Sequence, residues 1–240
     1  MCFSYSVNFN ADALQSRLQL DEIILPASGF FFTAFTYPNM PVIIAEGNKN
    51  KMVSKEWGLI PTWAKDENNA IEMRKLAFNA KGETVDSKPM FRHAFKEGRC
   101  VIPAAGFYEW REVNKKKYPY YIFPKDHSFF LFAGIAETWT NQETGEIHDT
   151  FSIVTSPANN LLSMIHNSKK RMPLILDDKE ASVWMTAAPE TSLTLVKPYQ
   201  DEKMEAYTIG PLASKARNDR NVLEVQDKYV YAELEQKLLL

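Results

Sequence analysis

The feature that most limits the fold of this 240-residue chain is the crowding of short strand-like runs. Residues 30–35, 42–46 and 53–60 are rich in aromatic and β-branched side chains and are separated by Pro and Gly-Asn signals. Residues 99–103 and 107–112 form a further pair with Gly106 between them, followed by runs at 118–123, 129–137 and 150–155. Strands this close together leave no room for the crossover helices of a doubly wound parallel sheet. The expectation is one mixed α+β domain dominated by strands. Helical spacing occurs at 11–20. A second helix is expected from Ser156-Pro157, a Ser N-cap with Pro at the first helical position, running through Asn160, Leu161 and Ile165. A short strand at 172–176 precedes a third helix at Asp177, with Glu180 as its capping-box partner. Asn114-Lys115-Lys116-Lys117 is expected as a solvated hairpin tip. The main domain is expected over 1–212. The highly charged 213–240 stretch is expected to pack on or near it, or to be partly loose.

With 45% hydrophobic and 24% charged residues the chain has an ordinary globular balance, and at this length it needs neither disulfide nor metal to fold. Its two cysteines, Cys2 and Cys100, suit a reducing compartment, and two cysteines with scattered histidines lack zinc-ligand spacing. No cofactor is expected. No apolar run has membrane-helix length, and the N-terminus lacks the basic and apolar regions of a signal peptide. The expected location is the cytosol, with the nucleus equally allowed in a eukaryote, no membrane association, and a monomeric state. The net charge of −2 argues against a uniformly basic protein but allows a local basic groove.

Cysteine stands directly after Met1. Removal of Met1 would leave a 1,2-aminothiol, combining a thiol that is nucleophilic as its thiolate with an α-amine that titrates near neutrality. Together the two groups can capture an aldehyde as a five-membered thiazolidine, which no internal cysteine can do. On position alone, an accidental cysteine in a terminal strand is the favoured reading. Glu109 lies between Tyr108 and Trp110 on a strand and should face away from both. It is either a solvent-facing carboxylate or a carboxyl in a partly apolar cleft, with a pKa raised towards neutrality and suited to acid–base work. His166 falls near the end of a helix, where the dipole favours imidazolium; it could be a structural cap or a catalyst. Asn79 could be a turn residue or an amide that orients a carbonyl or a terminal amine.

In combination these segments are far more specific. Cys2, the Asn79-Ala80-Lys81-Gly82-Glu83-Thr84 segment, Ile102-Pro103-Ala104-Ala105-Gly106-Phe107-Tyr108-Glu109-Trp110, and the Thr155…Ala158-Asn159…Ile165-His166…Arg171-Met172-Pro173 block occur in that order. With Trp57-Gly58-Leu59-Ile60-Pro61-Thr62-Trp63, they resemble the SOS-response-associated peptidase (SRAP) family from Cys2 to about Leu176. The resemblance implies antiparallel sheets curled into a barrel-like core with flanking helices, and a basic groove for single-stranded DNA. It also implies covalent capture of abasic sites, together with a self-processing peptidase-like step that removes the residue before Cys2. By position, Cys2 would be the nucleophile, Asn79 would place the aminothiol and the ring-opened sugar, Glu109 would move protons, and His166 would assist deoxyribose opening.

Two departures qualify that resemblance. Lys81 stands where the family has Arg, keeping charge but losing the bidentate fork. Four residues separate His166 from Arg171 where one is usual, so either Arg171 reaches DNA through a longer loop or Lys169 or Lys170 takes over. Arg74, Lys75, Lys81, Lys88, Arg92, Lys96 and Arg99 make 74–99 a basic stretch, and Trp63, Phe91 and Phe107 are candidate base platforms, each also open to a reading as core. The competing functional classes are an N-terminal-nucleophile hydrolase without a DNA role and a non-catalytic binding module that keeps Met1.

Overall fold

A computed structural model describes residues 2–23 and 28–235. Met1 and the last five residues of the charged C-terminal stretch lie outside the described residues. In chain order the strands are β1 (Ser4–Ser6), β2 (Leu20–Ile23), β3 (Phe32–Thr33), β4 (Asn39–Glu46), β5 (Lys49–Trp57), β6 (Asn79–Lys81), β7 (Arg99–Ala104), β8 (Gly106–Val113), β9 (Lys116–Pro124), β10 (Phe130–Thr140), β11 (Ile147–Pro157), β12 (Arg171–Pro173), β13 (Ile175–Leu176) and β14 (Met204–Thr208). The main helices are α1 (Ala11–Leu18), α2 (Glu67–Leu76), α3 (Arg92–Glu97), α4 (Asn160–Ile165) and α5 (Asp178–Thr186).

Strands β11, β10, β7, β4 and β5 are joined in that order by antiparallel ladders. A parallel pairing of β5 with β11, Glu56 opposite Thr150 and Trp57 opposite Phe151, closes the ring into a five-strand barrel. A second sheet, in the order β14-β9-β8-β1-β3, lies against it. The principal core joins the two layers: Tyr5, Phe107 and Ile122 from the open sheet meet Val42, Trp57, Phe132 and Phe151 from the barrel. The fold is thus α+β, β-rich and mostly antiparallel.

Local chemistry explains the junctions. Asn114 and Lys115, both at positive φ, turn β8 into β9 and form the expected hairpin tip. Gly58 has φ of +120°, and a Cβ there would lie 2.9 Å from Arg74 Cγ, so only glycine lets the Trp57-Gly58-Leu59 corner leave the barrel. Asp177 and Glu180 make the reciprocal capping box expected at the start of α5. The helix expected from Ser156-Pro157 instead begins at Asn160, with Asn159 as N-cap accepting from Leu162 N–H. Ser156 and Pro157 complete β11, opposite Met172 and Arg171 of β12. Most of the 30–35 run is likewise not strand: only Phe32 and Thr33 pair, before a 3₁₀ turn over Ala34–Thr36.

Candidate active site

The four proposed catalytic residues come from four separate segments and meet at the seam between barrel and open sheet. Cys2 precedes β1 and is fully buried. Asn79 opens β6, which runs parallel to β11 with Asn79 opposite Ile153. Its position is fixed through Phe78, whose carbonyl accepts from Trp57 Nε1 (3.0 Å) and Ile153 N–H (3.2 Å). Asn79 Nδ2 then donates to the Cys2 carbonyl oxygen at 2.9 Å. Asn79 Oδ1 is buried with no hydrogen-bond partner among the described residues.

On β8 the strand alternation holds. Tyr108 and Trp110 face an outer cluster with Phe31 and Tyr121. Glu109 faces the other way and is 5% exposed. His166 caps the C-terminus of α4, and its Nδ1 lies 3.6 Å from Glu109 Oε1. Burial raises the Glu109 pKa to about 7. Burial lowers that of His166 to about 4, with the charge of Lys169 acting in the same direction. The dipole of a six-residue helix does not offset that burial, so the ring is neutral at pH 7, not imidazolium. Its Nδ1 is 3.0 Å from the Arg171 carbonyl, which can only accept, so Nδ1 carries the proton and Nε2 the lone pair. The contact with Glu109 is therefore imidazole to carboxyl rather than an ion pair. Burial, and then the Glu109 charge, push the Cys2 thiol far above its ordinary value, so it is protonated where the sequence suggested a ready thiolate.

Glu109 and His166 open onto a cleft of about 560 Å³ that Phe3, Trp110, Glu112, Lys117, Lys169, Ser214 and Arg220 also line. Of the proposed DNA-contacting residues, Lys81, Lys169 and Lys170 are exposed. Arg171 instead turns inward, making a bidentate pair with Glu83 and donating to the Thr155 carbonyl at 2.8 Å. Arg74 pairs with Glu56 and stacks on Tyr37 at 4.2 Å. Arg99 donates to the Phe95, Trp184 and Ala187 carbonyls, tying α3 to the end of α5. Trp63 is 47% exposed, with Nε1 donating to Pro89 O. Phe107, by contrast, is fully buried and cannot be a base platform. The exposed ring that sequence reading missed is Phe35, 65% exposed and stacked on Phe3 at 5.3 Å, directly beside Cys2. Nothing local to Phe35 signals this, because the stack depends on the 3₁₀ turn.

Comparison with known proteins identifies the family. The model of the SOS response associated peptidase (SRAP) family matches residues 1–216. YoqW of Bacillus subtilis, named an abasic site processing protein, is 34% identical over 225 residues, covering 91% of this chain and 96% of that protein. YoaM of the same organism, with the same description, is 36% identical over 185 residues, covering 75% and 78%. An X-ray structure of a protein from Bacteroides thetaiotaomicron superposes with a TM-score of 0.87 at 34% identity, covering 95% of this chain and all of that one. With the family model matched over most of its length and relatives of this identity and coverage, the chain belongs to the SOS response associated peptidase (SRAP) family.

Proposed function

We propose that this protein processes abasic sites in DNA by forming a covalent adduct through Cys2 once Met1 has been removed. The observation that supports the reading is that Glu109 and His166 line a cleft edged by cations, while Cys2, held through its carbonyl by Asn79, lies buried next to Phe3 of that cleft's wall. Neutral His166 and the half-ionised Glu109 supply a base and an acid for opening the deoxyribose hemiacetal. The α-amine of Cys2 adds to the aldehyde carbon, and loss of water, protonated by the Glu109 carboxyl, leaves an imine. The thiol sulfur bonds to that carbon while its proton passes to the imine nitrogen, giving a neutral thiazolidine. Aldehyde and aminothiol together yield the ring and one water. The ring does not undergo β-elimination as readily as the open imine, so the strand is shielded. Single-stranded DNA is the substrate this reading favours, because an unpaired strand can lay its lesion in the cleft while Phe35 stacks a neighbouring base. The same thiol and carboxyl would serve a peptidase-like removal of Met1.

The test is to mix the mature protein with a single-stranded oligonucleotide carrying one abasic site. A heat-stable, SDS-resistant adduct that vanishes in Cys2→Ala is expected. No adduct from the wild type, or an equally durable one from Cys2→Ala, would refute the reading and favour a hydrolase without a DNA role.

A further inference from the structure

The chain continues past the family-matched region, which ends at residue 216, and that continuation walls the reactive cleft. Asn221 fastens it: its Oδ1 accepts from the backbone N–H of Phe30 (2.7 Å) and Phe31 (3.2 Å). Gly29 admits it, since a Cβ there would lie 2.4 Å from Asn221 Oδ1. Further along, Val225 is 1% exposed in the cluster with Phe31 and Tyr108, and Gln226 Nε2 donates to the Tyr108 hydroxyl at 3.1 Å. Next to the Asn221 anchor stands Arg220. Its guanidinium carbon sits 4.4 Å from the Phe31 ring centroid, and one Nη donates to the Ala213 carbonyl at 3.3 Å.

Arg17, Arg74 and Arg171, also half-buried, each face a carboxylate at ion-pair distance. Arg220 has no carboxylate at that distance among the described residues, yet it lines the cleft with Phe3, Glu109, His166, Lys117 and Lys169. Desolvation lowers its pKa, but a guanidinium remains charged in a protein. A partly desolvated cation without a counter-ion is a standing electrostatic penalty that an arriving anion relieves. The Phe31 contact and the Ala213 bond hold the guanidinium, and among the described residues its other N–H donors make no further hydrogen bond. Glu112 and the ionised share of Glu109 oppose an anion here; Lys117 and Lys169 offset them.

We propose that Arg220 is a phosphate-binding residue, holding a phosphodiester of the DNA strand next to the sugar presented to Cys2. This rests on the functional reading above and adds to it a contact supplied from outside the family-matched region.

The test uses the full-length protein and a single-stranded oligonucleotide bearing tetrahydrofuran, an abasic analogue with no aldehyde, with affinity followed by anisotropy across a salt series. Arg220→Gln should weaken low-salt binding roughly ten-fold and flatten the slope of log affinity against log salt by about 0.7, the share of one single-strand phosphate. Arg220→Lys should keep the slope and lose part of the affinity. Arg217→Gln, the same charge change at an exposed neighbour, should leave the slope unchanged. An Arg220 that only props the segment would lower the melting temperature and leave the slope alone, which overturns the proposal; so does an equal fall in Arg217→Gln. If the wild type binds the analogue but captures no true abasic site, the capture chemistry fails and the Arg220 measurement still decides. If the wild type captures and the Arg220→Gln slope is unmoved, the Arg220 proposal alone fails. No binding by the wild type overturns both.

Discussion

Replacing Glu109 by Gln separates chemistry from stability in this fold. The carboxyl is 5% exposed and titrates near 7 instead of its ordinary 4.5. At about 1.4 kcal/mol per pH unit, ionising it inside the fold costs about 3 kcal/mol more than in the unfolded chain. Because the folded value is the higher one, the stabilising contribution is complete below pH 4.5 and is lost as the pH rises through 7. Glu109→Gln keeps the shape and removes the titration. It should therefore be the more stable protein above about pH 8, by up to ~3 kcal/mol, while forming adducts roughly 10²–10⁴-fold more slowly. Urea denaturation at pH 5 and pH 8.5 reads the first quantity; single-turnover capture of an abasic oligonucleotide, resolved on denaturing gels, reads the second. The wild-type rate should turn over near pH 7, and the residual rate of the variant should not. A variant within three-fold of wild type, or one whose stability tracks wild type across that pH interval, would refute both the proton-transfer role and the buried carboxyl.

Other outcomes follow from the same geometry. Arg171→Ala removes a bidentate partner of Glu83 and a donor to Thr155, so it should cost about 1–3 kcal/mol in denaturation while leaving the salt slope of DNA binding unchanged. Lys169→Ala and Lys170→Ala should do the reverse, each flattening that slope by about 0.7 with little change in stability. Phe35→Ala should weaken single-strand binding by roughly 1–3 kcal/mol with almost no change in melting temperature, since the ring is 65% exposed; unchanged affinity removes Phe35 from the binding surface. Asn79→Ala should slow capture more than it weakens binding to the tetrahydrofuran analogue, because its amide holds the Cys2 carbonyl. His166 carries the opposite pH sign from Glu109: its folded pKa of about 4 lies below the ordinary 6.5, so its contribution is present above 6.5 and fades as the pH falls through 4. His166→Gln should flatten the acid side of the stability profile.

How far the sequence could be read depended on whether a feature was local. The Asp177–Glu180 capping box and the Asn114-Lys115 turn are written in adjacent residues, and both formed. Ser156-Pro157 carried an equally good local helix signal, but β11 runs on through Pro157 because β12 returns to pair with it. That partner lies 14 residues further along the chain, beyond any local signal. Helix α2 escaped notice because only Ala70 in it is buried, so it has no apolar stripe. Motif order picked out the proposed quartet, and strand alternation predicted that Glu109 faces away from Tyr108 and Trp110 while leaving open whether that side is solvent or a buried cleft. Lys and Arg are where sequence reading weakens. Arg74, Arg171 and Arg99 carry the same charge as Lys169, yet all three turn inward onto carboxylates or carbonyls. Arg220 sits in no motif, and its place in the cleft depends on Asn221 reaching Phe30 and Phe31 nearly 200 positions earlier.

The buried Cys2 thiol bears on the order of events in the proposed reaction. A nucleophilic cysteine normally sits in an electropositive, partly exposed place that favours its thiolate. Here burial and the charge of Glu109 both disfavour the thiolate, so an opening attack by sulfur would have to create a charge where the fold penalises it most. Ring closure onto an imine avoids this. The thiol and the imine are neutral, the thiazolidine is neutral, and the proton moves between sulfur and nitrogen within one small ring. The same burial that makes Cys2 a poor general nucleophile leaves this closure unpenalised and keeps the thiol from alkylating agents and oxidants. The amine must therefore strike first and the sulfur second, which means that a Cys2→Ser protein should still form the imine, trappable by borohydride, but should accumulate no durable adduct without that reductant.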